Sequence, residues 1–445
     1  MFSVILDLFF LATLIQGAIR KWVAPGLSLE IEFFRDVLPV LALIICYRQP
    51  HLRRQLGRFT GRVATLFWAY AIVAVLVACS PSLPVFVVLV GIRTHFAYLP
   101  LAFLMPAYLK SWRRGSRKFR QLLVLAVPIF LLSLFQTTQP VGSVWNQYAD
   151  STMAVATFST VDTARATGTF AYISEFASFA EICAVLAVFL MLTTRNKIIG
   201  RLLLAGILIL ALGAMMASGS RAPVAILGAQ LLGLAALGYS TRAIPMSRLL
   251  PFAAFTVLAG AISLVVLERQ ANDFLSRAEA VNEDAGGRLD MTFLEWPDVM
   301  AQYPLGVGLG AGHQAFYADM LATETPDLWE AELSRLAFEL GLGMLIYFAF
   351  KVTLVGQLLV RVKAARTRTG RITLVTCVSM LIPLIVTGSV YQPLSNAAFW
   401  AFVGVGLWVV KLEAATLAAQ PAVFRKLRAT DPAGHSVSLV GESAR

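Results

Sequence analysis

Residues 202–239 read LLLAGILILALGAMMASGSRAPVAILGAQLLGLAALGY. Two apolar runs, 202–217 and 223–239, flank a short polar turn that carries the only charge of the stretch, Arg221. Lipid offers no water to bond backbone groups, so an apolar run of about 20 residues is expected to form a spanning helix. The stretch therefore predicts two transmembrane helices joined by a tight turn.

The composition extends this pattern to the whole chain. Of its 445 residues, 58% are hydrophobic and 14% are charged, whereas about a quarter of the residues in a soluble domain are charged. The four cysteines are far apart and form no Cys-x-x-Cys pair, which argues against a disulfide framework or a metal site. We expect an all-α membrane protein that uses no metal and no cofactor.

Apolar runs repeat along the sequence and predict about twelve transmembrane helices. The first run has no basic residue before it and no small-residue cleavage pattern after it, so it is interpreted as a retained helix. The predicted spans are Phe2–Ala18, Phe33–Tyr47, Val63–Cys79, Thr94–Leu109, Gln121–Phe135, Phe170–Leu192, Leu202–Ala217, Pro223–Tyr239, Phe252–Leu267, Leu336–Val360, Ile372–Gly388 and Ala397–Val410.

The positive charges predict the orientation of these helices. Alternate connections and the C-terminal stretch hold 26 of the 37 Lys and Arg residues. Basic connections face the cytoplasm, which places both termini inside, in a bacterial inner membrane. The net charge of +12 is then explained by the basic cytoplasmic connections, and no nucleic-acid partner is needed to account for it.

The same orientation divides the chain into a membrane domain and a tail. Residues 1–411 form the polytopic domain, with periplasmic loops at 137–168 and 268–335, the larger of which lies between the ninth and tenth helices. Residues 412–445 contain Pro421 and Pro432 and are expected to be a mobile cytoplasmic tail.

Cations are scarce on the predicted periplasmic side, so each one there needs a reason. Guanidinium groups bind two oxygens of a phosphate at once, and arginines at the outer boundary suit a lipid-linked diphosphate. The arginines considered for this role are Arg93, Arg165, Arg221, Arg288 and Arg335. The alternative without a functional role is that a cation near a helix end extends its side chain to the lipid headgroups. We expect this of Arg20, Lys21, Arg35 and Lys351.

A glycine-rich stretch lies in the larger loop, at residues 303–313. Gly308 and Gly310 are two of its glycines, and such a loop can expose backbone N–H groups to an anion. It lacks the Gly-Lys-Ser/Thr ending of a nucleotide P-loop. His313 is either a base or a histidine satisfied by loop carbonyls. Glu175 and Glu181, within the sixth predicted span, are either catalytic or paired with Arg165 or Arg93.

Several motifs together resemble the O-antigen ligase and polymerase superfamily. The motifs occur in the same order as in that family. The large predicted loop also lies at the position of the large periplasmic loop of that family. They are Arg165-Ala-Thr-Gly-Thr-Phe170, Ser220-Arg221, Gly287-Arg-Leu-Asp290, Trp296, Tyr303-Pro-Leu-Gly-Val-Gly-Leu-Gly310 and Glu339-Leu-Gly-Leu-Gly343.

The resemblance implies a membrane glycosyltransferase that moves a glycan from undecaprenyl diphosphate to an acceptor hydroxyl in the periplasm. Arg221 and Arg288 would bind and stabilise the departing diphosphate, and Arg93, Arg165, Gly308, Gly310, His313 and Arg335 would bind substrate. Family ligases carry a histidine before the Glu-x-Gly motif, whereas this stretch reads Trp329-Glu-Ala-Glu-Leu-Ser-Arg335. A polymerase therefore fits better than a ligase, with Glu330 or Glu332 as the base, or else paired with Arg335.

Two further functions stay open at this stage. One is a ligase that transfers the glycan to lipid A core or to protein, and the other is a transporter or flippase for lipid-linked sugars. The expected partners are the undecaprenyl-diphosphate-linked glycan, membrane lipid, and a chain-length regulator or export machinery. A flippase should carry polar residues through the depth of the membrane. In this sequence the unusual charges are predicted to lie at the periplasmic face, which favours an enzyme.

Overall fold

The computed structural model describes most of the chain. The described residues are 1–79, 83–149, 155–158, 161–193, 198–248, 293–313, 331–387 and 390–429, with single positions at 254, 258, 261, 265, 268 and 272. Arg288 and Glu330, most of the predicted span Phe252–Leu267, and residues 430–445 lie outside them.

Helices dominate the described chain. They are α1 (Phe2–Ala18), α2 (Ser28–Arg48), α3 (Pro50–Arg53), α4 (Arg62–Ala78), α5 (Val85–Phe96), α6 (Pro100–Leu109), α7 (Trp112–Gln136), α8 (Ile173–Thr193), α9 (Ile198–Ser218), α10 (Arg221–Ser240), α11 (Trp296–Gln302), α12 (Glu332–Leu340), α13 (Gly343–Ala364), α14 (Arg368–Leu384) and α15 (Pro393–Ala429). A short antiparallel pair, β1 (Thr157–Phe158) and β2 (Val161–Ala164), precedes α8.

Eight helical segments of the described chain are long and apolar enough to cross a membrane. They are Phe2–Val23, Val85–Leu109, Trp112–Gln136, Ile173–Thr193, Ile198–Ser218, Arg221–Ser240, Gly343–Ala364 and Pro393–Thr416. The chain is therefore a multi-pass membrane protein. The count of twelve spans stays a prediction, because α4 and α14 are shorter and α2 carries four charges in its first nine residues.

The predicted span Leu336–Val360 is divided into two helices. Gly341 separates α12 from α13 with a φ of 52°, and a Cβ at this position would clash with the carbonyl oxygen of Pro304. Only glycine tolerates this backbone and this close approach. Hydropathy alone missed the break because α12 is itself apolar on the face that it buries.

The predicted fourth and last helices also have different bounds. The fourth begins at Val85, before the expected Thr94, and is interrupted before Pro100, which starts α6. Proline lacks the N–H that would continue the preceding helix and is well placed at a first helical position. At the other end of the chain, α15 continues through Ala429, so residues 412–429 are helical where a mobile tail was expected.

The helices α6 and α8 form the centre of the bundle. All residues of α6 except Phe103 are buried, as are most of those in α8. The helix α15 packs directly on α6, and a Cβ at Gly404 would lie 2.7 Å from the carbonyl oxygen of Leu101. A glycine at this point lets the two backbones approach closely, as small residues do at helix contacts in membranes.

Most of the basic connections meet at one end of the bundle, which we call the basic end (residues 48–62, 110–120, 361–371 and 411–413). The Lys411 Nζ donates to the carbonyl oxygen of Arg54 at 2.6 Å. The Glu413 carboxylate accepts from the Thr367 N–H at 3.3 Å, and the ring of Trp408 contacts that of Trp112. These contacts place four basic segments together.

The opposite end is called the site end, since most of the predicted functional residues lie there. The Lys21 Nζ, just after α1, donates to Thr167 Oγ1 at 2.8 Å, and the Gln136 side chain at the end of α7 receives the Gly168 N–H at 2.8 Å. Which side of the membrane this end faces stays a prediction.

We expect Gly404→Ala to destabilise the protein by about 1–3 kcal/mol, because its methyl group overpacks the contact with α6. The change should lower the thermal unfolding midpoint in detergent, followed by tryptophan fluorescence. The matched control is Gly356→Ala in α13, where an added Cβ meets nothing within 4 Å. An equal midpoint for both variants would contradict the close packing of α6 and α15.

Candidate functional site

A network of charged side chains occupies the site end of α2. Glu32 and Asp36 are four residues apart, so their carboxylates lie on one face of the helix. The Glu32 carboxylate binds Arg20, and it also accepts from the Arg93 Nη2 at 2.9 Å. Asp36 accepts from the Arg35 Nε at 2.6 Å and also from the Arg93 Nε.

The prediction that Arg20, Lys21 and Arg35 snorkel to lipid headgroups is wrong. All three residues are buried, and Arg35 is only 2% exposed. Lys21 donates to Thr167 and to the carbonyl oxygen of Gly168, at 2.8 and 3.0 Å. A charge that is removed from water and lipid headgroups must be paired or hydrogen-bonded, and the two acidic residues of α2 supply that pairing to the arginines.

Arg93 belongs to the same network. It forms ion pairs with both Glu32 and Asp36, and its guanidinium lies 4.8 Å from the ring centroid of Phe33. A diphosphate that binds Arg93 would therefore bind a guanidinium group that already forms ion pairs with two carboxylates. The role of Arg93 in substrate binding stays a prediction.

A second buried chain of hydrogen bonds links α4, α5 and α12. The Tyr70 hydroxyl lies 2.6 Å from His95 Nδ1, and His95 Nε2 lies 2.9 Å from Glu339 Oε2. With an ionised carboxylate, which only accepts, and a neutral imidazole, His95 Nε2 donates to Glu339 and Nδ1 accepts from Tyr70. The other oxygen of Glu339 accepts from the Gly312 N–H at 2.9 Å.

This arrangement holds the glycine stretch against the helices. Gly310 has a φ of 95°, and a Cβ there would clash with the carbonyl oxygen of Val87 on α5. The Gly308 N–H donates to the carbonyl oxygen of Glu339 at 3.3 Å. That N–H is used within the protein, which differs from the expectation that Gly308 presents it to an anion.

His313, at the end of the glycine stretch, is close enough to Arg93 and Arg335 for both charges to act on its imidazole. Burial lowers the pKa of its imidazole, the positive charges of Arg93 and Arg335 lower it further, and Glu339 and Glu32 act in the opposite direction. A neutral imidazole can accept a proton. The Arg335 guanidinium lies 5.6 Å from the ring centroid of Tyr391, so two predicted arginines and the predicted histidine come together here.

Arg165 and Arg221 lie at another part of the site end. The Arg165 Nε donates to the carbonyl oxygen of Ser218 at 2.8 Å, and the Ala166 N–H donates to that of Ala217 at 2.9 Å. Arg165 therefore lies beside the turn that leads into α10, of which Arg221 is the first residue. The following residues, Thr167 and Gly168, contact Lys21 and so connect this pair to the network around α2.

Glu332 is buried at the start of α12. One of its carboxylate oxygens accepts from the Val390 N–H at 3.2 Å, and its charge acts on Lys351 of α13. Lys351 is fully buried, with its Nζ 4.4 Å from the ring centroid of Tyr347 and 4.5 Å from that of Phe399. The expectation that Lys351 snorkels is therefore wrong, because its side chain lies inside the bundle between two aromatic faces.

The two glutamates of α8 have different surroundings. Glu181 accepts from the Gln230 Nε2 at 2.6 Å. Glu175 is buried and lies in the electrostatic field of Arg35 and Arg20, which differs from the expected pairing with Arg165 or Arg93.

Sequence reasoning gave no role in the site to five residues that organise it, namely Tyr70, His95, Glu339, Glu32 and Asp36, although Glu339 was quoted as part of a motif. One signal was present in the sequence: Glu32 and Asp36 stand at helical spacing next to an apolar run, beside Arg35. No such signal joins Tyr70 to Glu339, because their contact depends on how α4, α5 and α12 pack.

Neither family models nor curated proteins identify a family for this chain. No family model matches its sequence, and no curated protein matches it at a significant level. Among the residues that the structure describes, no group of His, Cys, Asp and Glu could hold a metal ion.

We expect Tyr70→Phe to cost about 1–3 kcal/mol of stability, because it leaves the buried His95 without a partner at Nδ1. The measurement is the thermal unfolding midpoint in detergent. The control is Tyr239→Phe. Tyr239 is 61% exposed, so the loss of its hydroxyl should not change the unfolding midpoint. A Tyr70→Phe variant as stable as this control would rule out the hydrogen-bonded chain.

Proposed function

We propose that the protein polymerises undecaprenyl-diphosphate-linked oligosaccharide repeat units at the periplasmic face of a bacterial inner membrane. The product would be an exopolysaccharide, a capsule or an O-antigen. The observation that carries the proposal is the gathering of Arg93, Arg165, Arg221 and Arg335 at one end of a membrane-embedded bundle. The motif resemblance to O-antigen ligases and polymerases supports the same conclusion.

The proposed chemistry is a glycosyl transfer between two lipid-linked units. An acceptor hydroxyl attacks the anomeric carbon of the donor sugar, the bond from that carbon to the diphosphate oxygen breaks, and the diphosphate leaves with the electron pair. Arg221 and Arg288 stabilise the charge that builds on the leaving oxygen. The hydroxyl proton passes to a base, for which Glu330, Glu332 and the neutral imidazole of His313 are the candidates.

The surroundings of Glu332 and His313 differ in how well they suit a catalytic base. Glu332 is buried and shared between Val390 and Lys351, which fits a structural role in holding the segment before α15. Burial, together with the positive charges of Arg93 and Arg335, lowers the pKa of His313, which favours the neutral form that a base requires. These surroundings support His313 over Glu332.

Two other functions use the same site. A ligase would present a different acceptor, lipid A core or protein, to the same donor. A transporter or flippase would need polar groups along a path through the membrane. The deeply buried Lys351 is a polar group of this kind, but aromatic rings enclose it, and this enclosure favours an enzyme.

The orientation in this proposal follows from the positive-inside rule. We expect alkaline phosphatase fused after Gly142 to be active, and a fluorescent protein fused after Arg366 to fluoresce, because these positions lie on opposite sides of the membrane. The swapped fusions serve as the matched controls and should be silent. The reverse pattern would place the site end in the cytoplasm and rule out a periplasmic polymerase.

We expect Arg221→Lys to lower polymer yield by about 10²–10³-fold, since a lysine loses the bidentate contact to the leaving diphosphate. The assay is complementation of a deletion strain, read as the chain length of the polysaccharide on a gel. A polymerase defect leaves single repeat units, whereas a ligase defect leaves full-length chains on the lipid carrier.

The control for this substitution is Arg361→Lys at the basic end, which should retain normal yield. Membrane levels of both variants are compared by immunoblot, so that a loss of protein is not mistaken for a loss of activity. Normal chain length with Arg221→Lys would remove this arginine from the reaction.

A further inference from the structure

A long apolar groove lies on the side of the bundle, away from the charged network. Its volume is about 710 Å³, and it is lined by residues of α1, α6, α7, α8 and α15. Most of the lining side chains are apolar, among them Phe10, Leu125, Ile182 and Phe402. An apolar groove on a membrane-spanning surface is suited to a hydrocarbon chain.

The length of the groove matches one leaflet of a bilayer. Along α15 it is lined from Leu394 to Val405, a helical rise of roughly 16 Å at 1.5 Å per residue. The hydrocarbon core of one leaflet is about 15 Å thick. An acyl chain that enters at one end of the groove therefore fills it without crossing into the other leaflet.

Positive charge is found at only one end of the lining. Arg117, Lys118 and Arg120 of α7 line the groove at the basic end. The Lys118 Nζ binds Asp7 at 2.7 Å, and the Tyr108 hydroxyl donates to the same carboxylate, so this acidic charge is offset. Arg117 and Arg120 add two exposed cations at the mouth of the groove.

We propose that this groove binds an anionic phospholipid from the leaflet at the basic end. One acyl chain lies along α15 and α1, and the headgroup phosphate is held by Arg117 and Arg120. Cations near the membrane surface attract anionic lipids by short-range electrostatics, and guanidinium groups suit phosphate oxygens.

The polyprenyl donor is the alternative occupant, and the charges argue against it. Its diphosphate would have to lie at the site end of the groove, near Leu394, Thr13 and Phe179, where none of the lining residues is a cation. The lipid site is therefore separate from the proposed reaction, and it stands whether or not the protein is a polymerase.

The test is binding of phosphatidylglycerol to the delipidated full-length protein, followed by native mass spectrometry. Phosphatidylcholine with the same acyl chains is the neutral comparison. We expect phosphatidylglycerol to bind at least about tenfold more tightly, and Arg117→Gln with Arg120→Gln to remove this preference. The matched control, Arg361→Gln with Lys363→Gln, removes two exposed cations of the same end outside the groove.

A second variant tests the acyl chain separately from the headgroup. Ala401 lines the groove, and Ala401→Phe should fill it and weaken the binding of both lipids. Ala236→Phe, at an exposed position of α10, should leave binding unchanged. Equal affinity for the two lipids, equal loss in the Arg361 and Lys363 control, or displacement of phosphatidylglycerol by undecaprenyl phosphate would overturn the proposal.

Discussion

Two carboxylates on one face of α2 make the rest of the site possible. Glu32 and Asp36 hold Arg20, Arg35 and Arg93 at a depth where lone guanidinium groups would be costly. Because each arginine comes from a different position along the chain, the pairing also joins α1, α2 and α5. The positive charge that remains at this end is therefore carried by a fixed framework and not by mobile surface side chains.

A second constraint acts where α12 meets the glycine stretch. Glu339 uses one oxygen for His95 and the other for Gly312, so a single side chain connects a spanning helix, a short helix and a loop. The close contacts at Gly310 and Gly341 bring those backbones near enough for Glu339 to reach both partners. The glycines and Glu339 therefore serve the same contact.

The membrane class and most helices follow directly from the sequence, because long apolar runs have few alternatives in lipid. The runs that became α1, α8, α9 and α10 were placed within about four residues of their observed bounds, whereas α7 begins nine residues before the predicted Gln121. Arg165 and Arg221 were both expected at the same side of the membrane, and they lie beside one turn. The break at Gly341 was missed, since hydropathy does not report backbone conformation.

The partners of the charged residues were harder to predict. Arg20, Lys21, Arg35 and Lys351 were expected at headgroup depth, and all four are buried. Apart from Asp36 for Arg35 and Tyr347 for Lys351, their partners come from other segments of the chain, and a hydropathy pattern holds no information on which segments are neighbours. The same limit applies to His95 and Glu339, which are 244 residues apart in the chain.

The bond between Gly312 and Glu339 joins two positions that are 27 residues apart. The two ends of the chain between them are therefore close together. The entropic cost of closing such a loop grows only slowly with its length. Insertions or deletions between His313 and Ala331, before α12 begins, should thus leave both anchors in place. Homologous chains are therefore expected to differ in length within this segment more than at Gly312 or Glu339.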